Sequence, residues 1–165
     1  MSELDSYAAY YESPIGTIEI RGTEAGVSGL NFVDIKEERA ARRLKGSPPG
    51  AVADALVQLE GYFHGDRKEF TVKLDLRGTD FQKKVWAKLL QVKFGRTTTY
   101  KALAAAIGNP ASTRAVGGAN HRNPVSIVVP CHRVVGSDGR LTGYGGGLWR
   151  KDWLLRHEGH DRLFV

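Results

Sequence analysis

The first part of the chain contains short stretches in which polar and apolar side chains alternate. Residues 15–22 (IGTIEIRG) and 26–33 (GVSGLNFV) have the two-residue period of half-buried strands, and Glu24–Gly26 supplies a turn between them. Residues 70–76 (FTVKLDL) alternate in the same way. The pattern therefore predicts three strands, two of which are joined by a glycine-containing turn.

Two segments between these strands favour helices. Residues 34–45 (DIKEERAARRLK) are charged and rich in helix formers, and GSPPG at 46–50 breaks the pattern. A second helix is predicted at 51–63, because apolar residues recur at helical spacing, namely Val52, Leu56, Leu59 and Phe63. We expect residues 1–76 to form a small α+β domain without a catalytic constellation.

A helix-start signal marks a second domain, expected at residues 79–165. Thr79 at the N-cap and Gln82 three residues later have the spacing of a capping box. The residues that follow predict an amphipathic helix that stops near Gly95. Its predicted apolar face consists of Phe81, Val85, Trp86, Leu89 and Leu90.

Two short helices around a tight turn are predicted next. Thr99 is placed to cap a helix that runs to Ile107, and Gly108 ends it. Asn109 is placed to cap the following helix, with Pro110 at its first position, where a missing N–H has no cost. This pattern is typical of a helix-turn-helix.

The second helix of the pair combines small residues with one long basic side chain, Arg114. Small side chains let the backbone approach a partner closely, while Arg114 reaches into that partner. The same composition also suits packing between helices, so both interpretations stay open from the pattern alone. The small residues are Ala111, Ser112, Ala115, Gly117 and Gly118.

Charge differs sharply between the two parts of the chain. Residues 1–78 carry 10 Lys and Arg against 13 Asp and Glu, whereas residues 79–165 carry 14 against 5, a net charge of +9. A solvated basic face is the plain interpretation of such an excess. Together with the predicted helix-turn-helix, however, it favours DNA as the partner of the second domain.

Hydropathy and cysteine content indicate the cellular compartment of the protein. No apolar run approaches the roughly 18 residues of a membrane span, and the N-terminus lacks the basic and apolar regions of a secretory signal. A single cysteine excludes an internal disulfide. We therefore expect a cytoplasmic protein that has no membrane contact and keeps its thiol reduced.

The one cysteine, Cys131, lies in a region with unusual chemistry. It follows an apolar run at 127–129, which predicts a buried strand that Pro130 ends. A glycine-rich loop at 136–147 carries Tyr144, and a final helix is predicted from Leu148 to about Glu158 and Gly159.

Cys131 admits three interpretations: a small buried hydrophobe, a metal ligand or a nucleophile. A metal is disfavoured because there is no second thiol and the five histidines lack ligand spacing. A nucleophile needs a base, and His132 is adjacent, with Glu158 as a candidate to orient its imidazole. In a regular strand, however, consecutive side chains point to opposite faces, so contact would require a bend or a bridging water.

The ordered motifs resemble those of the O6-alkylguanine-DNA alkyltransferases, also called methylated-DNA–protein-cysteine methyltransferases. PCHRV at 130–134 follows NPVSIVV and precedes GYGGG and LLRHEG, while SPIGTIEI, GTDFQKKVW and TTTYKALAAAIGNPASTRAVGGAN extend the similarity over nearly the whole chain. The resemblance implies an α+β protein with a ribonuclease-H-like N-terminal domain. It also implies a mainly helical C-terminal domain, with neither cofactor nor metal.

The resemblance further implies a single, irreversible transfer of an alkyl group to Cys131. The group would come from O6 of guanine, and also from O4 of thymine. His132 would act as a base through a water, with Glu158 holding its other nitrogen. Asn123 would brace the active-site loops by hydrogen bonding, and Tyr144 would donate a proton toward the guanine ring.

Roles in DNA binding are implied in the same way, for a monomer in the minor groove whose cooperativity stays open. Arg114 would fill the base stack vacated by a flipped nucleotide, and Tyr100 would press on its phosphate. The backbone N–H of Gly145 would face the guanine oxygen, while the carbonyls of Cys131 and Val134 would accept its exocyclic amine. Further DNA-binding residues are Ser112, Ala115, Gly118 and Asn120.

Two other functions compete with this hypothesis. A protein that recognises alkylated DNA without transferring the group would not need the thiol that Cys131 supplies. A cysteine hydrolase built on Cys131, His132 and an acidic residue would leave the basic helix pair unexplained and would turn over repeatedly.

Overall fold

The computed structural model describes residues 7–34 and 50–160, and the chain divides into two compact units, Met1–Arg77 and Gly78–Val165. Each unit is described by itself. The helix predicted at 34–45 falls, apart from Asp34, outside the described residues. An N-terminal sheet unit followed by a helical unit confirms the predicted α+β class.

The first unit contains a three-stranded antiparallel sheet in the order β1 (Tyr7–Ser13), β2 (Gly16–Thr23) and β3 (Gly26–Phe32). The predictions of β2 and β3 are confirmed. Strand β1 was not predicted, because nearly all of its side chains are half-buried and its sequence (YAAYYES) does not alternate. It is nonetheless paired with β2 along its whole length.

The prediction of a regular strand at 70–76 is wrong. This segment is extended but forms a single parallel bridge, between Leu74 and Val27. The Val27 N–H donates to the Lys73 carbonyl at 2.8 Å, and the Asp75 N–H donates to the Val27 carbonyl at 2.8 Å. Gly26 makes this approach possible, because a Cβ there would lie 2.7 Å from the Lys73 oxygen.

Helix α1 (Gly50–Phe63) contributes a buried apolar face to the core of this unit. Its buried apolar face differs from the predicted one only at Leu56, which is half-buried, and it is extended by Ala55 and Tyr62. The buried Gln58 side chain donates to Thr71 Oγ1 at 2.9 Å and accepts from the Thr71 N–H at 2.9 Å. This pair of bonds ties Thr71 of the 70–76 segment to the helix.

The second unit is mainly helical. Its helices are α2 (Asp80–Leu89), α3 (Tyr100–Ala106), α4 (Thr113–His121) and α5 (Leu148–His157). Two short strands, β4 (Thr98–Thr99) and β5 (Val134–Val135), form a parallel pair. Among the described residues, no helix is long and apolar enough to cross a membrane.

Helix α2 begins as predicted and ends earlier. The Gln82 N–H donates to Thr79 Oγ1 at 3.1 Å and the Thr79 N–H donates to Gln82 Oε1 at 3.0 Å, which confirms the capping box. The helix ends at Leu89, so Leu90 is 45% exposed and Gly95 lies in a later turn. The buried Trp86 indole N–H donates to the Ala119 carbonyl at 2.9 Å and ties α2 to α4.

The helix pair α3 and α4 has the predicted first cap and a different second one. Thr99 Oγ1 accepts from the Ala102 N–H at 3.0 Å, as expected. Asn109 makes no side-chain cap. Instead, residues Pro110–Ser112 form a 3-10 turn, in which the Ser112 hydroxyl donates to the Asn109 carbonyl at 2.6 Å. Pro110 stands at the start of this turn, where its lack of an N–H has no cost.

The capping box gives a first prediction. Thr79→Ala removes the acceptor of the Gln82 N–H, and we expect the free energy of unfolding of the second unit to fall by about 1 kcal/mol. Denaturant unfolding followed by tryptophan fluorescence measures this, because all three tryptophans lie in that unit. Thr97→Ala is the matched control, since the Thr97 side chain forms no hydrogen bond within the described part of the chain. Equal losses in both variants would contradict the assignment.

Candidate active site

The region before Cys131 is a series of turns, and the strand predicted at 127–129 is wrong. The Asn123 side chain donates to the Val129 carbonyl at 2.8 Å and accepts from the Val125 N–H at 3.0 Å. The Val129 N–H donates to the Val125 carbonyl at 3.0 Å. These bonds satisfy the polar groups that a neighbouring strand would otherwise pair.

Ile127 shows how far this segment departs from a strand. Its φ of +71° lies in the left-handed region, where a β-branched residue is strained. The side chain is 1% exposed, and the neighbouring Val125, Val128 and Val129 are also buried. Apolar burial therefore holds the turn in place, and the same apolar run misled the strand prediction.

Cys131 begins a 3-10 helix, Cys131–Arg133, that leads into β5. A 3-10 helix has three residues per turn, so consecutive side chains diverge by about 120° and not by the 180° of a strand. The turn departs from the strand geometry that would point the two side chains to opposite faces. Cys131 is 5% exposed and His132 is fully buried.

Glu158, at the C-terminal end of α5, accepts from two neighbouring side chains of the 3-10 helix. The distance between His132 Nε2 and Glu158 Oε1 is 2.7 Å. Arg133 donates through Nε to Oε2 at 2.8 Å and through Nη2 to Oε1 at 2.9 Å. A third donor of the guanidinium, Nη1, reaches the Val92 carbonyl at 2.6 Å.

This arrangement assigns the two nitrogens of His132. Because Nε2 faces a carboxylate, it carries the proton of the neutral ring, and Nδ1 is left as an acceptor. Nδ1 is buried and has no hydrogen-bond partner among the described residues. The imidazole therefore has an unused basic atom in the core, next in sequence to the thiol.

The charges of the site follow from burial and from these contacts. Burial lowers the pKa of His132, although the Glu158 charge raises it in part, so the imidazole is neutral at neutral pH. The pKa of Glu158 lies far below its ordinary value, because the contacts from His132 and Arg133 outweigh its burial. Burial raises the pKa of Cys131, and the hydrogen bond from Asn123 and the charge of Lys151 lower it in part. At rest the site thus holds a protonated thiol and a neutral imidazole on consecutive residues.

Lys151 is a component of the site that sequence reasoning missed. It is fully buried, and its Nζ donates to the Thr142 carbonyl at 2.7 Å and lies 3.4 Å from the Gly143 carbonyl. Burial lowers its pKa to about 8, opposed by the charge of the Cys131 thiolate. The sequence holds one indication of this burial: Lys151 lies three and four residues before the buried Leu154 and Leu155, on the same face of the helix.

The glycine-rich loop that carries Tyr144 is tied on both sides of this residue. Lys151 binds the carbonyls before it, and Arg150 Nη1 donates to the Gly146 carbonyl at 3.0 Å after it. The Tyr144 hydroxyl is buried, and its pKa is raised well above the ordinary value by burial and by the negative charge of Cys131 as thiolate. Gly145 is exposed in this loop.

The helix pair presents most of the predicted DNA-binding residues at its surface. Arg114, Ala115 and Gly118 are exposed and Ser112 is half-buried, whereas Asn120 is only 4% exposed. Thr142 Oγ1 donates to the hydroxyl of Tyr100 at 3.1 Å, and Val134 is fully buried in β5. A cavity of about 300 Å³ lies between α3, α4 and the loop, lined by Tyr100, Thr113, Gly117, Asn120, His121, Thr142 and Gly143.

The surface charge of the second unit is smaller than its composition suggests. Arg133 and Lys151 are buried, so two of the fourteen basic residues of this part do not contribute to its surface charge. The acidic Glu158 is buried as well. Across residues 7–34 and 50–160, no group of three or more His, Cys, Asp or Glu side chains is arranged to hold a metal ion.

The fold and the site together define a protein whose helical unit combines a helix pair with a buried thiol that precedes a His–Glu pair in the chain. Two family models match the chain. The 6-O-methylguanine DNA methyltransferase ribonuclease-like domain matches residues 6–76, and the DNA binding domain of the same enzyme matches residues 80–160. The chain therefore belongs to the 6-O-methylguanine DNA methyltransferase family.

Individual relatives agree with this assignment. The methylated-DNA--protein-cysteine methyltransferase of Methanosarcina acetivorans is 47% identical over 153 residues, covering 93% of this chain and 98% of the relative. The crystal structure of Mycobacterium tuberculosis O6-methylguanine methyltransferase superposes with a TM-score of 0.81, at 45% identity over 92% of each chain. Mycobacterium tuberculosis OGT in complex with DNA gives a TM-score of 0.79, at 46% identity over 90% of each chain.

The charge of Lys151 gives a prediction for the thiol. Lys151→Met and Lys151→Gln both remove the charge, and we expect each to raise the pKa of Cys131, which lowers the thiolate fraction about tenfold per pKa unit. The loss should be greatest below pH 8, because wild-type Lys151 has a pKa of about 8 and is neutral above it. The rate of Cys131 alkylation by iodoacetamide across pH measures this effect.

The two variants separate charge from tethering, because Gln keeps an N–H donor for the loop carbonyls and Met does not. Lys84→Met removes an exposed charge from α2 and serves as the control. A loss confined to the Met variant, or one independent of pH, would contradict the electrostatic role.

Proposed function

We propose that this protein repairs alkylated DNA by moving an alkyl group from O6 of guanine onto Sγ of Cys131. The single observation that carries the proposal is the buried thiol that precedes a neutral His132, whose Nε2 is held 2.7 Å from Glu158 and whose Nδ1 is unused. Membership of the alkyltransferase family supports the same reaction. O4 of thymine is proposed as a second source of the alkyl group.

Activation of the thiol falls to His132 acting through a water. Nδ1 of the neutral imidazole takes the thiol proton as Sγ approaches the alkyl carbon. The ionised Glu158 then stabilises the imidazolium, and Arg133 keeps this carboxylate charged and oriented. Because the resting thiol is protonated, the proton leaves only as the reaction proceeds, and a buried thiolate is never exposed to other electrophiles.

The displacement forms an Sγ–C bond and breaks the bond between the alkyl carbon and O6. Negative charge develops on the guanine, and the Gly145 N–H faces its oxygen while the Tyr144 hydroxyl gives a proton toward the ring. The carbonyls of Cys131 and Val134 are proposed to orient the exocyclic amine. Asn123 keeps the turn before Cys131 in place. A thioether does not return to a thiol, so each molecule acts once.

A nucleotide must leave the duplex to reach a thiol that is 5% exposed. We propose that α4 enters the minor groove, with Ser112, Ala115 and Gly118 along the backbone and the exposed Arg114 in the vacated stack. Tyr100 would then contact the phosphate of the extruded nucleotide. In this proposal, residues 79–165 carry both DNA binding and transfer, and the protein acts as a monomer in the cytoplasm.

The two competing functions differ from this proposal in stoichiometry. A binder that does not react would leave the alkyl group on the DNA, and a hydrolase would release many equivalents of product.

Limiting protein mixed with duplex DNA that carries a labelled O6-methylguanine tests the reaction. We expect one equivalent of label per protein, located at Cys131 by mass spectrometry. Cys131→Ser should abolish transfer yet keep DNA affinity, because exchange of a 5% exposed thiol for a hydroxyl leaves the exposed side chains of α4 unchanged. Label that never reaches Cys131, or product beyond one equivalent, would refute the proposal, and loss of both properties in the variant would refute the separation of roles.

Arg114→Ala tests extrusion of the base. We expect transfer from duplex DNA to slow by about tenfold or more, because the cost of an empty stack is no longer offset. Transfer from free O6-methylguanine base should be unchanged, since no stack is opened. Lys84→Ala controls for the loss of one positive charge, and equal losses on duplex and free base would argue against the base-replacement role.

A further inference from the structure

Tyr100 stands at one edge of the cavity of about 300 Å³ in the second unit. It is the first residue of α3, directly after the N-cap Thr99, and the pairing of β4 with β5 joins this N-cap to Val135. Its ring lies over Gly117 of α4, where a Cβ would lie 3.8 Å from Tyr100 Cδ1. The backbone and the ring are thus held in place, and the direction of the O–H bond depends on the groups around the hydroxyl.

Thr142 of the glycine-rich loop contacts this hydroxyl through two oxygen atoms. Thr142 Oγ1 donates to the hydroxyl oxygen of Tyr100 at 3.1 Å. The hydroxyl of Tyr100 lies 3.5 Å from the Thr142 carbonyl oxygen. The first distance is close to the ordinary range for two hydroxyl groups, whereas the second is too long for a strong hydrogen bond.

The Thr142 carbonyl already has a stronger donor than Tyr100. Lys151 Nζ donates to it at 2.7 Å, and a hydrogen bond from a charged group is roughly twice as strong as one between neutral groups. The Tyr100 proton therefore loses little when it turns away from this carbonyl. Because the Tyr100 oxygen accepts from Thr142 Oγ1, the Tyr100 hydroxyl keeps its proton for another acceptor.

The cavity beside the two hydroxyl groups suits an anionic ligand. None of the described residues that line it is acidic, and its lining includes the exposed His121 and the exposed Thr113. The hydroxyl groups of Tyr100 and Thr142 meet at its edge. A phosphate group accepts hydrogen bonds and donates none when it is fully ionised, so donors of this kind match it.

We propose that Thr142 is a positioning residue for Tyr100 and directs the Tyr100 hydroxyl proton toward a phosphate oxygen of the extruded nucleotide. The inference rests on the proposed function and adds to it a residue beyond those that the sequence suggested. In the bound state the chain of hydrogen bonds runs from Thr142 Oγ1 to the Tyr100 oxygen and from the Tyr100 proton to the phosphate. Each bond in such a chain polarises the next and strengthens it.

A purely structural role for the Thr142 hydroxyl is the alternative. In that case the hydroxyl only holds the loop that carries Tyr144, and its loss slows every reaction of Cys131 to the same extent. The proposed role instead confines the loss to substrates that bring a phosphate to Tyr100.

Thr142→Val separates these two roles, because it removes the hydroxyl donor at nearly constant shape and leaves the backbone carbonyl to Lys151. Thr142 is exposed, so the fold should tolerate the change. Single-turnover transfer is measured from saturating duplex DNA that carries O6-methylguanine and from the free O6-methylguanine base. We expect the rate on the duplex to fall about three- to tenfold more than the rate on the free base, which has no phosphate. Equal losses on both substrates would overturn the proposal.

Two further variants test whether Thr142 acts through Tyr100. In a Tyr100→Phe background, Thr142→Val should have no additional effect on duplex DNA, since the hydroxyl that Thr142 directs is absent. Additive losses would contradict the proposal. Thr142→Ser keeps the hydroxyl and should restore most of the rate, and a loss as large as that of Thr142→Val would also count against it.

Thr113→Val is the matched control, because Thr113 lines the same cavity and its side chain forms no hydrogen bond within the described part of the chain. Its effect should be the same with and without the Tyr100 hydroxyl, and coupling equal to that of Thr142 would refute the assignment. Alkylation of Cys131 by iodoacetamide should be as fast in Thr142→Val as in wild type. A decrease equal to that on duplex DNA would instead establish the structural role. Absence of transfer by wild type would refute the proposed function itself.

Discussion

The buried carboxylate of Glu158 is the interaction on which the rest of the site depends. It is the end point of α5, yet it is bound from the other side by His132 and Arg133 of the 3-10 helix. An ionised carboxylate is stable in a core only when it is well paired, and here three donors on two side chains reach it. Removal of Arg133 would leave the carboxylate without its charged partner, and removal of Glu158 would leave a buried guanidinium, so the imidazole orientation and the junction between α5 and the 3-10 helix are fixed together.

In the resting site the nucleophile is not yet activated. Burial keeps the thiol of Cys131 protonated and His132 neutral, while Lys151 and Glu158 provide the two opposite charges around them. Lys151 also holds the loop that carries Tyr144 through the carbonyl of Thr142. The same buried ammonium group therefore both lowers the pKa of the Cys131 thiol and holds the glycine-rich loop in position.

Much of this was readable from the sequence, and the failures share a physical cause. The capping box at Thr79, the helix pair and the pairing of His132 with Glu158 rest on local rules or on family motifs, and the structure has them. The strand expected at 127–129 failed because an apolar run indicates burial and not backbone conformation. There the Asn123 side chain supplies the hydrogen bonds of a missing strand. Lys151 escaped notice because a buried lysine is rare enough that a charge is taken as surface by default.

Trp86 is an intrinsic fluorescence probe of the second unit. Its indole is 1% exposed and bonded to the carbonyl of Ala119, immediately before Asn120, whereas Trp149 is 58% exposed beside Arg150. A soluble quencher reaches the second ring and not the first. Light emitted by Trp86 therefore reports on the environment of helix α4, without any dye attached to the protein.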